Sequence, residues 1–210
     1  MKIIEVENVS KSFSDRKVLD SVSFTIEKGT ICGLIGRNGS GKTVLMKCIC
    51  DFLTPDSGSI RIRGRLQNRK QDVSGNMGII IESPGFLENE SAYGNLLYLA
   101  RLRGLIGQTE VKEAIRRVGL SPDDRKKVKK YSMGMRQRLG IAQAIMEKPD
   151  ILLLDEPMNG LDEQGVTDMR TLFLSLKENG VTILLASHNT EDIALLCDNV
   201  YRIDGGKIHI

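Results

Sequence analysis

The chain has 210 residues, enough for one substantial α/β domain with a small subdomain and too few for two full catalytic units. Thirty Lys and Arg against 27 Asp and Glu leave a net charge of +3, too little to argue for nucleic acid as a partner. No apolar run approaches the ~20 residues needed to cross a bilayer, so any membrane role is expected to run through a partner.

The opening MKIIEVENVS interleaves acids with apolar residues, which predicts an alternating edge strand and not a secretory signal with a continuous hydrophobic centre. VSFTI, TICGLIG and GSIRIRG follow as further strands, each bounded by Gly, Ser, Asp or Lys. From about Ser91 the spacing turns helical, through Leu96, Leu97, Ala100 and Leu102 and then Val111, Ala114, Ile115 and Val118, predicting a helical insert. It closes in DDRKKVKKYS, a basic run that reads as a solvated loop or helix face, or as a surface turned to a membrane or acidic partner. The last third alternates: a helix from about Met133 to Glu147, strand DILLLD, a helix from Glu163 to Glu178, strand VTILLAS, a helix from Thr190 to Leu196 and strand NVYRID. ILLLD and TILLAS are apolar nearly throughout, as parallel strands covered on both faces are, and predict a doubly wound core. Cys32, Cys48, Cys50 and Cys197 lie in or beside apolar runs without a paired CxxC array and read as buried thiols of a reducing cytosol.

GLIGRNGSGKTVLMKC sets Gly36, Gly41, Lys42 and Thr43 in the pattern G-x-x-x-x-G-K-[ST], after a strand and at a helix start. Glycines let the backbone close around phosphate, and N–H groups from about Asn38 to Thr43 with the helix N-terminus supply positive potential. Lys42 is then expected to reach the outer phosphates and the Thr43 hydroxyl to take one position on Mg2+. Strand ILLLD delivers Asp155 and Glu156 at its carboxyl end, where ligands collect in such sheets. Asp155 suits Mg2+, through water, and Glu156 suits the base that takes a proton from attacking water. TILLASH brings His188 to the same edge as a donor to the γ-phosphate; His209 carries no assignment.

With these motifs in this order, YSMGMRQRLGIAQAIMEKPDILLLDEPMNGLD resembles the signature-to-acidic-strand region of the ABC transporter ATPases, and the resemblance spans nearly the whole chain. It is similar in type to the ATPase subunits of bacterial bacitracin-resistance and lantibiotic-immunity exporters. The resemblance implies a P-loop NTPase of ABC type: a mostly parallel RecA-like core with an N-terminal antiparallel β subdomain and a helical insert. One domain would span 1–210, with the β subdomain and loop to about 82, the helical part at about 83–135 and the rest of the core at about 136–210. Residues 131–135 stand in for the family's LSGGQ signature, with Met133 replacing a glycine and Met135 the glutamine. Gly160, Leu161 and Asp162 match the D-loop, and Phe13 stands where an aromatic stacks on adenine.

ATP and Mg2+ are the implied cofactors. The implied nucleotide contacts are Phe13, Val18, Gly36, Arg37, Asn38, Gly39, Ser40, Gly41, Lys42, Thr43 and Val44, with Ser132, Gly134 and Asp162 completing the site. A head-to-tail homodimer would sandwich ATP, the helix that Ser132 and Gly134 open serving the other copy's γ-phosphate. The implied metal ligands are Thr43, Asp155 and Glu82, which takes the place of the Q-loop glutamine. A carboxylate offers two acceptors and no donor, and either ligates Mg2+ itself or leaves that to water. The expected function is an ATPase at the cytoplasmic face of the membrane, driving a separate transmembrane permease, with export as the expected direction. The competing readings are a soluble ABC-type ATPase acting on nucleic acid or ribosomes, disfavoured by the short chain, and a nucleotide-dependent assembly module, disfavoured by Glu156.

Overall fold

In the computed structural model, which describes residues 1–67, 76–82 and 84–209, two β-sheets enclose a helix. The elements in chain order are β1 (Lys2–Phe13), β2 (Arg16–Glu27), β3 (Ile31–Ile35), α1 (Lys42–Ile49), β4 (Ser57–Ile62), β5 (Arg65–Leu66), β6 (Met77–Ile80), α2 (Ala92–Arg103) and α3 (Gln108–Arg117). A 3-10 turn (Val128–Lys130) leads to α4 (Met133–Ile145), β7 (Ile151–Asp155), α5 (Glu163–Glu178), β8 (Thr182–Ala186), α6 (Thr190–Leu196), β9 (Asn199–Asp204) and β10 (Lys207–His209).

The main sheet has the order β10-β9-β3-β8-β7-β6, parallel except for β10. Its central strands are apolar throughout because side chains alternate between two cores. On one face Ile151 and Leu153 join Leu34, Leu184, Leu45 and Met46 of α1, and the N-terminal sheet residues Ile4, Leu19 and Ile62. On the other, Leu152 and Leu154 join Ile183, Leu185, the α4 and α5 residues Leu139 and Phe173, and Leu96 and Ile115 of the insert. Burying one such side chain contributes roughly 1.5–3 kcal/mol, so each central strand is fixed from both sides. All four cysteines are free thiols, and burial pushes Cys32 and Cys197 up to about 12 and Cys48 and Cys50 up to about 11.

Two expectations are corrected. The first strand is not an edge: the antiparallel N-terminal sheet runs β2-β1-β4-β5, with β1 paired on both sides. Alternation reports that one face is buried and is silent on whether the backbone edges are paired. The sequence reading also stops at NVYRID, whereas β10 folds back on β9 through Gly205 and Gly206, both at positive φ (53° and 77°). That is a two-residue hairpin of the type Gly-Gly favours.

Gly78 in β6 lies against α4 so closely that a Cβ would stand 2.0 Å from the Ala144 carbonyl oxygen and 2.5 Å from Leu152 Cδ2. Gly78→Ala is therefore expected to lose ~3 kcal/mol in urea unfolding. Gly85→Ala, whose Cβ meets nothing within 4 Å, should leave the midpoint near wild type.

Candidate functional site

β3 ends at Ile35, and residues 36–41 turn the chain into α1. The turn depends on glycine in two ways. Gly39 and Gly41 sit at φ 77° and 111°, the left-handed region that side chains disfavour. Gly36 needs no special angle but is pressed against β9: a Cβ there would lie 2.4 Å from the Ile203 carbonyl oxygen and 2.7 Å from Ser40 Oγ. α1 starts with no capping side chain and no acid in its first turn, so its free N–H groups and positive dipole end are available to an anion. Lys42 folds back over the loop, its Nζ donating to the Gly36 carbonyl at 2.7 Å and the Arg37 carbonyl at 3.2 Å. The side chain is buried, 7% exposed, and among the described residues no carboxylate pairs with it. Ser40 Oγ is buried beside it with no hydrogen-bond partner.

β7 and β8 bring the acids and the histidine to the same edge. Thr43 Oγ1, in the first turn of α1, donates to Asp155 Oδ2 at 2.7 Å. Glu156 follows with a left-handed backbone (φ 49°), its N–H donating to the Ala186 carbonyl at 2.9 Å. Its Oε1 lies 2.9 Å from His188 Nδ1. Gln137 of α4 holds this turn from the other side, Nε2 donating to the Pro157 carbonyl at 3.0 Å. A non-glycine residue at positive φ costs of order 1 kcal/mol and persists where surroundings impose it, as these two hydrogen bonds do.

The convergent residues line a cleft of about 640 Å³. Of the sequence-predicted residues, Val18, Asn38, Gly39, Gly41, Lys42, Thr43, Val44, Glu82, Asp155 and Glu156 border it. Arg16, Met133, Gln137 and Asn159 border it as well and were missed as lining residues. Gln137 had a signal in the RQR that follows residues 131–135; Arg16 opens β2 and Asn159 sits in the turn after β7, each a single polar residue with no motif to mark it. Phe13 is not among the lining residues: it pairs with Arg16 across the β1–β2 hairpin, half exposed, with Lys11 Nζ 5.7 Å from its ring centre. Glu82 reaches the cleft edge, but its Oε1 accepts from Lys47 Nζ at 2.6 Å.

Ser132, Gly134 and Asp162 lie outside the cleft lining. Ser132 Oγ caps α4 by accepting from the Met135 N–H at 3.2 Å, and Asp162 caps α5 by accepting from the Gly165 N–H at 2.9 Å. Gly134 is pressed onto the turn before α5, where a Cβ would stand 2.7 Å from the Gly160 carbonyl oxygen.

These donors fit a nucleotide phosphate: a buried ammonium without a carboxylate, an orphaned hydroxyl and an uncapped helix N-terminus. Among the described residues no three His, Cys, Asp or Glu side chains gather as a metal cluster. The paired Thr43 hydroxyl and Asp155 carboxylate are oxygen donors of the kind that hold an ion such as Mg2+ beside phosphate and water.

Residues 19–159 match the family model described as ABC transporter. The uncharacterized ABC transporter ATP-binding protein YybJ of Bacillus subtilis is 43% identical over 206 residues, covering 98% of this chain and 94% of YybJ. The bacitracin transport ATP-binding protein BcrA of Enterococcus faecalis is 42% identical over 200 residues, covering 93% of this chain; the chain spans 64% of that relative's length. The crystal structure of a nucleotide-free ATP-binding cassette from an ABC transporter superimposes with a TM-score of 0.87 at 25% identity, covering 100% of this chain and 90% of that one. The chain belongs to the ABC transporter family, as an ATP-binding and ATP-hydrolysing subunit. The nucleic-acid and assembly readings are not favoured.

Gly36→Ala forces the loop off the Ile203 carbonyl. It is expected to weaken ATP binding at least about tenfold, a cost of ~1.4 kcal/mol, measured by titration calorimetry.

Proposed function

We propose that this subunit uses Mg2+-dependent ATP hydrolysis, in a head-to-tail homodimer on the cytoplasmic face of the membrane, to power a separate transmembrane permease that exports a peptide antibiotic or drug. The observation that carries the catalytic part is the cleft bordered by Lys42, Thr43, Asp155 and Glu156, to which His188, lining a neighbouring groove with Gly36 and Arg37, is joined through its bond to Glu156. Lys42 neutralises the outer phosphates. Thr43 and Asp155 would hold Mg2+, which would supply charge neutralisation on the phosphate oxygens when bound. Glu156 takes the proton of the attacking water, an effect of roughly 10²- to 10⁴-fold in rate. His188, bonded to Glu156 through Nδ1, donates from its other ring nitrogen to the γ-phosphate. Phe13 and Val18 flank the base, with Phe13 stacking on adenine when nucleotide enters.

The dimer reading is supported by the N-terminus of α4. Ser132 and Met133 are exposed there, leaving the helix end accessible to a second copy's phosphate. The Asp162 cap on α5 and the packing of Gly134 on Gly160 keep signature and D-loop in one rigid unit that such a copy meets.

The permease reading is supported by a second groove of about 430 Å³ between β6 and the insert, bordered by Phe52, Ile81, Pro84, Leu99 and Leu102. Phe52 and Leu102 are 62% and 66% exposed, an apolar cost that a docked partner removes. No described helix is long and apolar enough to cross a membrane. Export of a peptide antibiotic rests on the 42% identity to a protein named for bacitracin transport.

Glu156→Gln is expected to bind ATP, to lose roughly 10²-fold or more of its turnover, and to elute as a dimer at saturating Mg-ATP on a sizing column. A variant that keeps wild-type turnover contradicts the base assignment, and one that stays monomeric contradicts the sandwich.

A further inference from the structure

Lys47 stands four residues after Thr43 on α1, and its ammonium holds the Glu82 carboxylate at 2.6 Å. Positions four apart share a helix face with Cβ atoms about 5–6 Å apart. The hydroxyl that meets Asp155 and the ammonium that meets Glu82 therefore form one row along α1. Glu82 enters this row with a left-handed backbone, φ 61°, a conformation an acid keeps only when its surroundings impose it. It is also one of the residues that border the phosphate cleft.

We propose that Lys47 is a positioning residue that competes with Mg2+ for the Glu82 carboxylate. The ion pair holds Glu82 one turn along α1 from Thr43, at the border of the same cleft, and a metal held by Thr43 and Asp155 would draw on the same carboxylate. One carboxylate cannot compensate an ammonium and a divalent cation at full strength, and the exposed side of the pair, with Glu82 at 65%, keeps it weak enough to yield. Release has a path outward. The Lys47 carbonyl accepts from the N–H groups of Phe52 at 2.9 Å and Leu53 at 3.1 Å, and Phe52 borders the apolar groove assigned to the permease. Lys47 thus joins the metal side of the cleft, the strand exit at Glu82 and the partner groove. The proposal rests on the reading of Thr43 and Asp155 as the metal-holding pair.

The test is ATP affinity by calorimetry across a Mg2+ series, with a chelated sample as the metal-free reference. Lys47→Gln is expected to leave metal-free affinity within about twofold and to lower the Mg2+ concentration at half-effect by about two- to fivefold, the range open to an exposed ion pair. Lys47→Arg, which keeps the charge, should stay at the wild-type midpoint. In a Glu82→Gln background Lys47→Gln should shift nothing further. An unchanged midpoint in Lys47→Gln, or a shift that persists without the Glu82 carboxylate, overturns the proposal. Asp155→Asn separates the two readings. Loss of the metal response in Asp155→Asn beside an unshifted Lys47→Gln overturns the ion-pair competition alone. A wild-type response in Asp155→Asn overturns the metal site and the competition with it.

Discussion

A buried ammonium without a carboxylate is the constraint around which this molecule is arranged. Among the described residues Lys42 makes hydrogen bonds only to the carbonyls of Gly36 and Arg37, at the start of a helix whose first turn contains no acid. Uncompensated charge in such a position is costly, and carbonyl dipoles repay only part of its lost hydration. The remainder is available to an anion. The same loop spends three glycines on its path, leaves Ser40 Oγ without a partner and is pinned beneath the Ile203 carbonyl. The uncompensated charge and the orphaned hydroxyl cost stability in the isolated chain and become favourable once phosphate occupies the loop.

Sheet order explains why the other chemical groups meet there. β3, which feeds the phosphate loop, lies between β9 and β8, and β7 lies beyond β8. Parallel strands deliver their carboxyl ends to one edge, so the residues after β3, β7 and β8 become neighbours although Thr43 and Asp155 are 112 residues apart. Register makes the meeting specific: Asp155 pairs with Ala186, which puts Glu156 within reach of the Ala186 carbonyl and of His188. A one-residue slip would turn every side chain of β7 to the wrong core.

Much of this was legible in the sequence because the signals are local. The phosphate loop is a contiguous pattern, ILLLD and TILLAS announce two-sided burial by composition, and Asp155, Glu156 and His188 sit at strand ends that follow from those runs. The positions missed are set by pairing at a distance. Whether β1 is an edge depends on β4, more than forty residues later. Lys47 and Glu82 are 35 residues apart and no motif joins them, so only the packing of β6 beside α1 reveals that the Q-loop acid has an ammonium partner. Arg16, at the start of β2, and Asn159, in the turn after β7, reach the cleft from elements far apart in the chain. Ser132 is legible as the residue that opens α4, whereas the cap that Asp162 places on α5 carries a local signal only in its spacing to Gly165.

The central claim is that phosphate compensates the Lys42 ammonium, and thermal unfolding of Lys42→Met with and without ATP tests it most directly. Methionine keeps the length of the buried stem and removes the charge. An apo melting temperature equal to or above wild type is expected, together with loss of the ATP-induced rise that the wild-type protein shows through preferential binding to the folded state. A variant that retains the wild-type rise with ATP would contradict it.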